Sequence, residues 1–218
     1  MNSPVELGFD HRFIPSTAPA TERGATLLLL HGTGGDGDSL LQLGYTLSPT
    51  SPLLSPTGKV REAGAPRFFR RLAEGVFDME DLTVRTAELA VFIRKSVAAY
   101  RLDAARVVAV GYSNGANIAA SLLLSNESVL AGAVLFRAMV PFEPAGSSDL
   151  HNVPVLLCAG NADPIATAAE TVRLAGLLTE AHARVEIHRE PGGHQLAMGD
   201  IRAASEWIER TFPLTPTP

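Results

Sequence analysis

Four short runs of apolar residues, at 25–30, 106–110, 132–136 and 153–159, show almost none of the polar alternation that a strand with one wet face requires. Runs of this kind describe strands buried on both sides, as in a parallel sheet covered by helices. Segments with helical spacing lie between them. In the clearest, 80–100, Leu82, Thr86, Leu89, Ile93, Val97 and Tyr100 recur three or four residues apart. Asp78 is placed to cap that helix, and Glu80 and Asp81 lie where the helix dipole favours negative charge. Further helices are predicted at 113–124, at 165–181 with Pro164 near the first turn, and at 200–210 with Asp200 as its cap. A weaker strand is read at 52–54, an outer strand at 183–188, and a candidate edge strand at 5–13. The repeated alternation implies an α/β fold built on a mostly parallel, doubly wound sheet flanked by helices. With 218 residues, no internal repeat and no dividing linker, residues 1–218 read as a single domain whose Pro-rich tail after Phe212 frays.

Charge narrows the partners. A formal charge of -5 repels phosphate backbones and anionic membranes, so nucleic acid is not an expected partner. The basic cluster Arg67-Phe68-Phe69-Arg70-Arg71 is read as a loop that forms local salt bridges or binds an acidic ligand. Its Arg67 and Phe68 are candidate substrate contacts. No apolar run is long enough to span a bilayer, and the first fifteen residues lack a basic segment followed by a long apolar one. The only cysteine, Cys158, cannot form an intramolecular disulfide, which fits a reducing compartment and makes a cytoplasmic protein the expectation. The histidines lack metal-ligand spacing, and the glycine-rich stretch 32–37 lacks the lysine of a phosphate-binding loop. Neither a metal nor a cofactor is expected.

The chemistry concentrates in Gly111-Tyr112-Ser113-Asn114-Gly115, between an apolar run and a helix with small residues on one face. A serine held on so sharp a strand-to-helix turn needs flanking residues without side chains, and the two glycines supply that. Serine is a poor nucleophile at neutral pH unless a histidine accepts its proton and a carboxylate orients that histidine. In this type of turn the acid follows the serine and the histidine follows the acid. Asp163, just past a buried run, and His194, after Gly192 and Gly193, fit that order; Asp200 and Asp149 are weaker candidates for the acid. The loop His31-Gly32-Thr33-Gly34-Gly35 follows the apolar run 25–30, where one oxyanion donor belongs. Thr33 N–H is assigned to that role with Asn114 N–H as the second donor, while His31 is read as pinning the loop.

These motifs, together with Gly-Tyr-Ser-Asn-Gly-Ala-Asn, the Ala-Asp-Pro turn and the Gly-Gly-His turn, resemble the phospholipase/carboxylesterase family of α/β-hydrolases, which includes acyl-protein thioesterases. The likeness covers nearly the whole chain. Residues 66–78 are similar to the bacterial branch related to methylhydroquinone-inducible hydrolases. The resemblance implies an α/β-hydrolase fold without a large cap domain, cleavage of a small-molecule carboxylic ester or thioester through an acyl-enzyme, and a homodimer. Thr33 stands where the thioesterases carry leucine, which argues against a long-chain acyl-protein substrate.

Two other readings share these residues: a ligand-binding protein without turnover, and an acyltransferase. The acyl pocket is expected from loops 55–77 and 141–149, shallow enough to favour short chains. Arg137 follows the run 132–136 and should emerge at the C-terminal edge of the sheet. There it either grips a substrate carboxylate or forms a structural salt bridge, to Glu143 or Asp149.

Overall fold

The computed structural model describes residues 6–19, 22–125, 127–144, 146 and 149–214. Val5 and most of the proline-rich tail, the first residue of one expected strand and the segment expected to fray, lie outside them. In chain order the elements are β1 (His11–Ile14), β2 (Thr26–Leu30), α1 (Leu41–Leu47), β3 (Leu53–Pro56), β4 (Val60–Glu62), β5 (Ala65–Arg67), β6 (Arg71–Ala73), β7 (Val76–Phe77), α2 (Met79–Tyr100), β8 (Val107–Tyr112), α3 (Asn114–Leu124), β9 (Gly132–Phe136), β10 (Pro154–Gly160), α4 (Ala168–Glu180), β11 (Arg184–Glu190) and α5 (Met198–Thr211). Seven strands form one sheet in the order β1-β3-β2-β8-β9-β10-β11. Only β1 runs antiparallel to its neighbour.

Successive side chains of a strand point to opposite faces, so each inner strand feeds two cores. Leu28, Leu30, Ala109, Leu135 and Leu157 face α2, α3 and α4. Leu27, Leu29, Val108, Val110, Val134 and Cys158 face α1 and α5, with Trp207 and Ile208 packed over them. Both faces must be apolar, which is why the inner strands do not alternate. β11 has a helix on either side only in part, and its residues are mostly exposed or half-buried.

Local capping sets the helix starts. Asp78 caps α2 by accepting the N–H of Asp81. The fourth helix starts later than residue 165, because Asp163 holds the N–H groups of Ile165 and Ala166 in a turn of its own and Thr167 becomes the cap. Asp200 is not the cap of α5. It lies within the first turn and accepts the N–H of Ala197, which is the capping position. Helix α1 and the hairpins β4–β5 and β6–β7 were not expected from the sequence.

Connections leave β2 toward β3 on one side of the sheet, and β8 lies on the other. The C-terminal ends of β2 and β8 therefore flank the point where strand order reverses, the place where open α/β sheets bind ligands.

Candidate active site

At that point the chain turns from β8 into α3 through Ser113, whose φ of 53° and ψ of -114° lie outside the regions ordinary residues prefer. The surrounding backbone holds it there. Ser113 N–H donates to the Phe136 carbonyl and its own carbonyl accepts the N–H of Asn117. The turn is crowded as well as strained. A Cβ on Gly111 would lie 2.6 Å from the Gly115 carbonyl oxygen, and one on Gly115 would overlap the carbonyl of Leu30 at the end of β2.

The loops beyond β10 and β11 bring Asp163 and His194 to the same point. His194 Nε2 lies 2.9 Å from Ser113 Oγ, and Nδ1 lies 2.8 Å from Asp163 Oδ2. A carboxylate only accepts, so Nδ1 carries the proton and Nε2 is free to accept from the serine hydroxyl. The Asp163 side chain is fully buried, and its other oxygen accepts the N–H groups of Ile165 and Ala166. Tyr112 donates to the His194 carbonyl and packs beside the ring. Of the weaker acid candidates, Asp200 is engaged by Arg137, and Asp149 is an exposed partner of His151 and His182.

The loop after β2 is pinned as expected. Buried His31 donates from Nδ1 to the Gly32 carbonyl and accepts at Nε2 from Gly58 N–H, while its ring packs on Phe68. Desolvation holds its pKa below the ordinary histidine value. Gly34 N–H donates to the Pro66 carbonyl, tying the loop to β5. The backbone N–H of Thr33 has no partner among the described residues. Asn114 stands first in α3, where a backbone N–H has no acceptor within the helix. Thr33, Ser113, Asn114 and His194 all line one cleft of about 250 Å³. Burial pushes the Cys158 thiol pKa well up, leaving an inert side chain in β10.

Two expected substrate contacts are corrected. Arg137 lines the cleft, but its fully buried side chain commits all five N–H donors to the protein: Nε to Gly193 O, Nη1 to Cys158 O and Asp200 Oδ1, Nη2 to Gln195 O and Asp200 Oδ2. Its ion-pair partner is Asp200, not Glu143 or Asp149. Phe68 is a core residue, 1% exposed, absent from the cleft lining and packed at a tilt against His31. Arg67 does line the cleft, with Nη1 donating to Thr33 Oγ1 and Nε to the Phe69 carbonyl beside Glu62.

The cleft wall also differs from expectation. Residues from 55–77 contribute through the β6–β7 hairpin, including Arg71 and Phe77. No described residue of 141–149 lines it; Met139 and Ile165 take that side. Asn117 lines it too and was missed, although its position four residues after Ser113 puts it one helical turn above the serine.

The family model for phospholipase/carboxylesterase proteins matches residues 14–212. The chain belongs to the phospholipase/carboxylesterase family. A putative hydrolase, MhqD, from Bacillus subtilis (strain 168) is 47% identical over 186 residues, covering 85% of this chain and 93% of that protein. The crystal structure of the Bacillus cereus carboxylesterase superposes with a TM-score of 0.89 at 46% identity, covering 94% of this chain and 95% of the other. A carboxylesterase from Mesorhizobium loti has a TM-score of 0.85 at 27% identity, covering 94% and 96%. The phospholipase/carboxylesterase member described here is thus an α/β-hydrolase-fold esterase, with no cap domain among the described residues. No helix among the described residues is long and apolar enough to cross a membrane.

Proposed function

We propose that the chain hydrolyses carboxylic esters of short acyl chains, with Ser113 as nucleophile, His194 as general base and acid, and Asp163 orienting the histidine. The observation that carries this reading is the continuous line of contacts from Asp163 Oδ2 through both ring nitrogens of His194 to Ser113 Oγ, at 2.8 and 2.9 Å. Ser113 Oγ attacks the ester carbonyl carbon as its proton passes to Nε2. The C–O bond to the alcohol then breaks, and His194 returns that proton to the leaving oxygen. Water adds to the acyl-enzyme by the same route, releasing the acid and restoring the serine. The backbone N–H groups of Thr33 and Asn114 take the charge of both tetrahedral intermediates, and buried Asp163 stabilises the imidazolium.

Ser113→Ala is expected to lower kcat at least about 10⁴-fold with the unfolding temperature retained, and a fluorophosphonate probe should label Ser113 in the wild type only. Residual turnover within tenfold of wild type refutes the nucleophile assignment.

A cleft of about 250 Å³ lies below the roughly 300–1,000 Å³ of sites that enclose drug-sized ligands. Among p-nitrophenyl esters, acetate to hexanoate should therefore be cleaved faster than dodecanoate. A maximum at ten carbons or more would contradict the small cleft.

A further inference from the structure

The hydrogen-bonding groups left over around the cleft are almost all donors. Asn117 Oδ1 accepts the N–H of Met139, which fixes the orientation of the amide and leaves Nδ2 without a partner among the described residues. Asn114 repeats the pattern: Oδ1 accepts the N–H of Phe68, and buried Nδ2 has no partner among the described residues. Arg67 uses Nε and Nη1 within the protein, and Nη2 has no partner among the described residues. Both Asn117 and Arg67 are more than nine-tenths buried, at 5% and 3% exposure, yet both line the cleft. The free nitrogens of these two residues are not among the fully buried unpaired atoms, so they open onto the cleft, where an entering acceptor can reach them.

Charge identifies the acceptor. Glu62 is shared by Arg67 and Arg71, so neither guanidinium group has a carboxylate to itself. On the opposite wall Arg137 is held by Asp200 and keeps no donor for a ligand. Glu74 is the one lining side chain that offers an unpaired acceptor, and it stands exposed at the hairpin turn, where water screens it.

We propose that Arg67 Nη2 and Asn117 Nδ2 form a carboxylate-binding subsite, and that the preferred substrates are esters bearing a carboxylate a few bonds from the scissile carbonyl. This rests on the serine-esterase reading above. The carboxylate can belong to the acyl part or to the alcohol part, and the chemistry of the subsite is the same for both. One nitrogen of a charged guanidinium and an amide together favour a carboxylate over a neutral carbonyl.

The test compares matched esters by titrating released acid. Monoethyl succinate against ethyl pentanoate reads the acyl side, and 3-acetoxypropanoate against butyl acetate reads the alcohol side. In the wild type, kcat/KM for the charged member of one pair should exceed that of its neutral partner roughly 10- to 100-fold, the range for hydrogen bonds to charged groups. The pair that shows it identifies the source of the carboxylate. Asn117→Asp keeps the oxygen that holds Met139 N–H and turns the free end into an acceptor, so the charged-to-neutral ratio should drop at least tenfold and fall below one. Arg67→Met should also lower the ratio, and Asn117→Asp carries the test by itself if that variant fails to fold. Labelling of Ser113 with normal hydrolysis of the neutral esters, but no charge preference in either pair, overturns the subsite and leaves the esterase reading standing. Absence of both labelling and hydrolysis overturns the two together.

Discussion

The two walls of the cleft treat their polar groups in opposite ways. On the wall made by the loops after β9, β10 and β11, both oxygens of Asp163, both nitrogens of His194 and all five donors of Arg137 are bonded within the protein. On the wall made by the hairpins, Arg67 keeps one guanidinium nitrogen unbonded among the described residues and Arg71, which meets Glu62 through Nε and Nη2, keeps Nη1. A group whose bonds are all internal resists displacement and fixes geometry. One with donors left over has binding capacity to offer an incoming molecule. The difference teaches that buried arginine at a cleft is not one kind of residue: Arg137 builds the site, and Arg67 faces what enters it.

The largest effect that could break this comparison is on stability. Asp200→Asn leaves the Arg137 charge buried without its counter-ion, and breaking a buried pair in this way costs about 3–5 kcal/mol. For a chain of this length that corresponds to a drop of roughly 6–20 °C in unfolding temperature. Activity should fall with it, because Arg137 holds the carbonyls of Gly193 and Gln195 on either side of His194. Arg67→Met should cost less, since its counter-ion Glu62 is 38% exposed and stays paired with Arg71. Equal losses in thermal melts of the two variants would erase the distinction between the walls.

A smaller effect is set by pH and belongs to the hairpin side. Burial depresses the His31 pKa, so the folded chain keeps it neutral while the unfolded chain protonates near the ordinary value of about 6.5. Below that value the unfolded state binds the extra proton, and stability falls with pH until the depressed folded pKa is passed. The slope per titrating group is at most about 1.4 kcal/mol per pH unit. The carboxylates held low by hydrogen bonds, Asp36 and Glu62, lose their contributions only further down, as pH falls below about 4.5. The melting temperature should therefore decline between pH 6.5 and 5. His31→Gln, which can still accept Gly58 N–H, should flatten that decline; an unchanged slope would remove His31 as its source.

Legibility in the sequence follows the same division. The apolar run 132–136 became β9 residue for residue, because a strand buried on both faces leaves no choice of side-chain type. The strained turn at Ser113 was readable from its two glycines, and chain order brought the reading to Asp163 and His194, the two side chains that the structure places against it. The hairpins were not readable: β6 and β7 are three and two residues long and pair through a bulge, too short for any period to show. Nor was α1, where Gly44 weakens the helical signal and is needed because a Cβ there would sit 3.0 Å from Leu29 and Leu53. The fate of Arg137 was hidden for another reason. Its partner Asp200 is 63 residues away, and no local pattern records a pairing between elements.

The smallest expected effect tests which atom of Thr33 matters. Its hydroxyl accepts from Arg67 Nη1 at 2.7 Å, which ties the loop after β2 to the hairpin wall, whereas its backbone N–H is the proposed oxyanion donor. Thr33→Val keeps the shape and the N–H and removes only the hydroxyl. The lost hydrogen bond is worth about 0.5–1.5 kcal/mol, so kcat/KM for a neutral short-chain ester should fall by less than about tenfold. Loss of an oxyanion donor is much more damaging, about 10²–10³-fold in kcat. A hundredfold fall in kcat for Thr33→Val, with the melting temperature unchanged, would therefore move the charge-stabilising role from the backbone to the hydroxyl. It would also make Arg67, which orients that hydroxyl, part of the chemical step rather than of substrate selection.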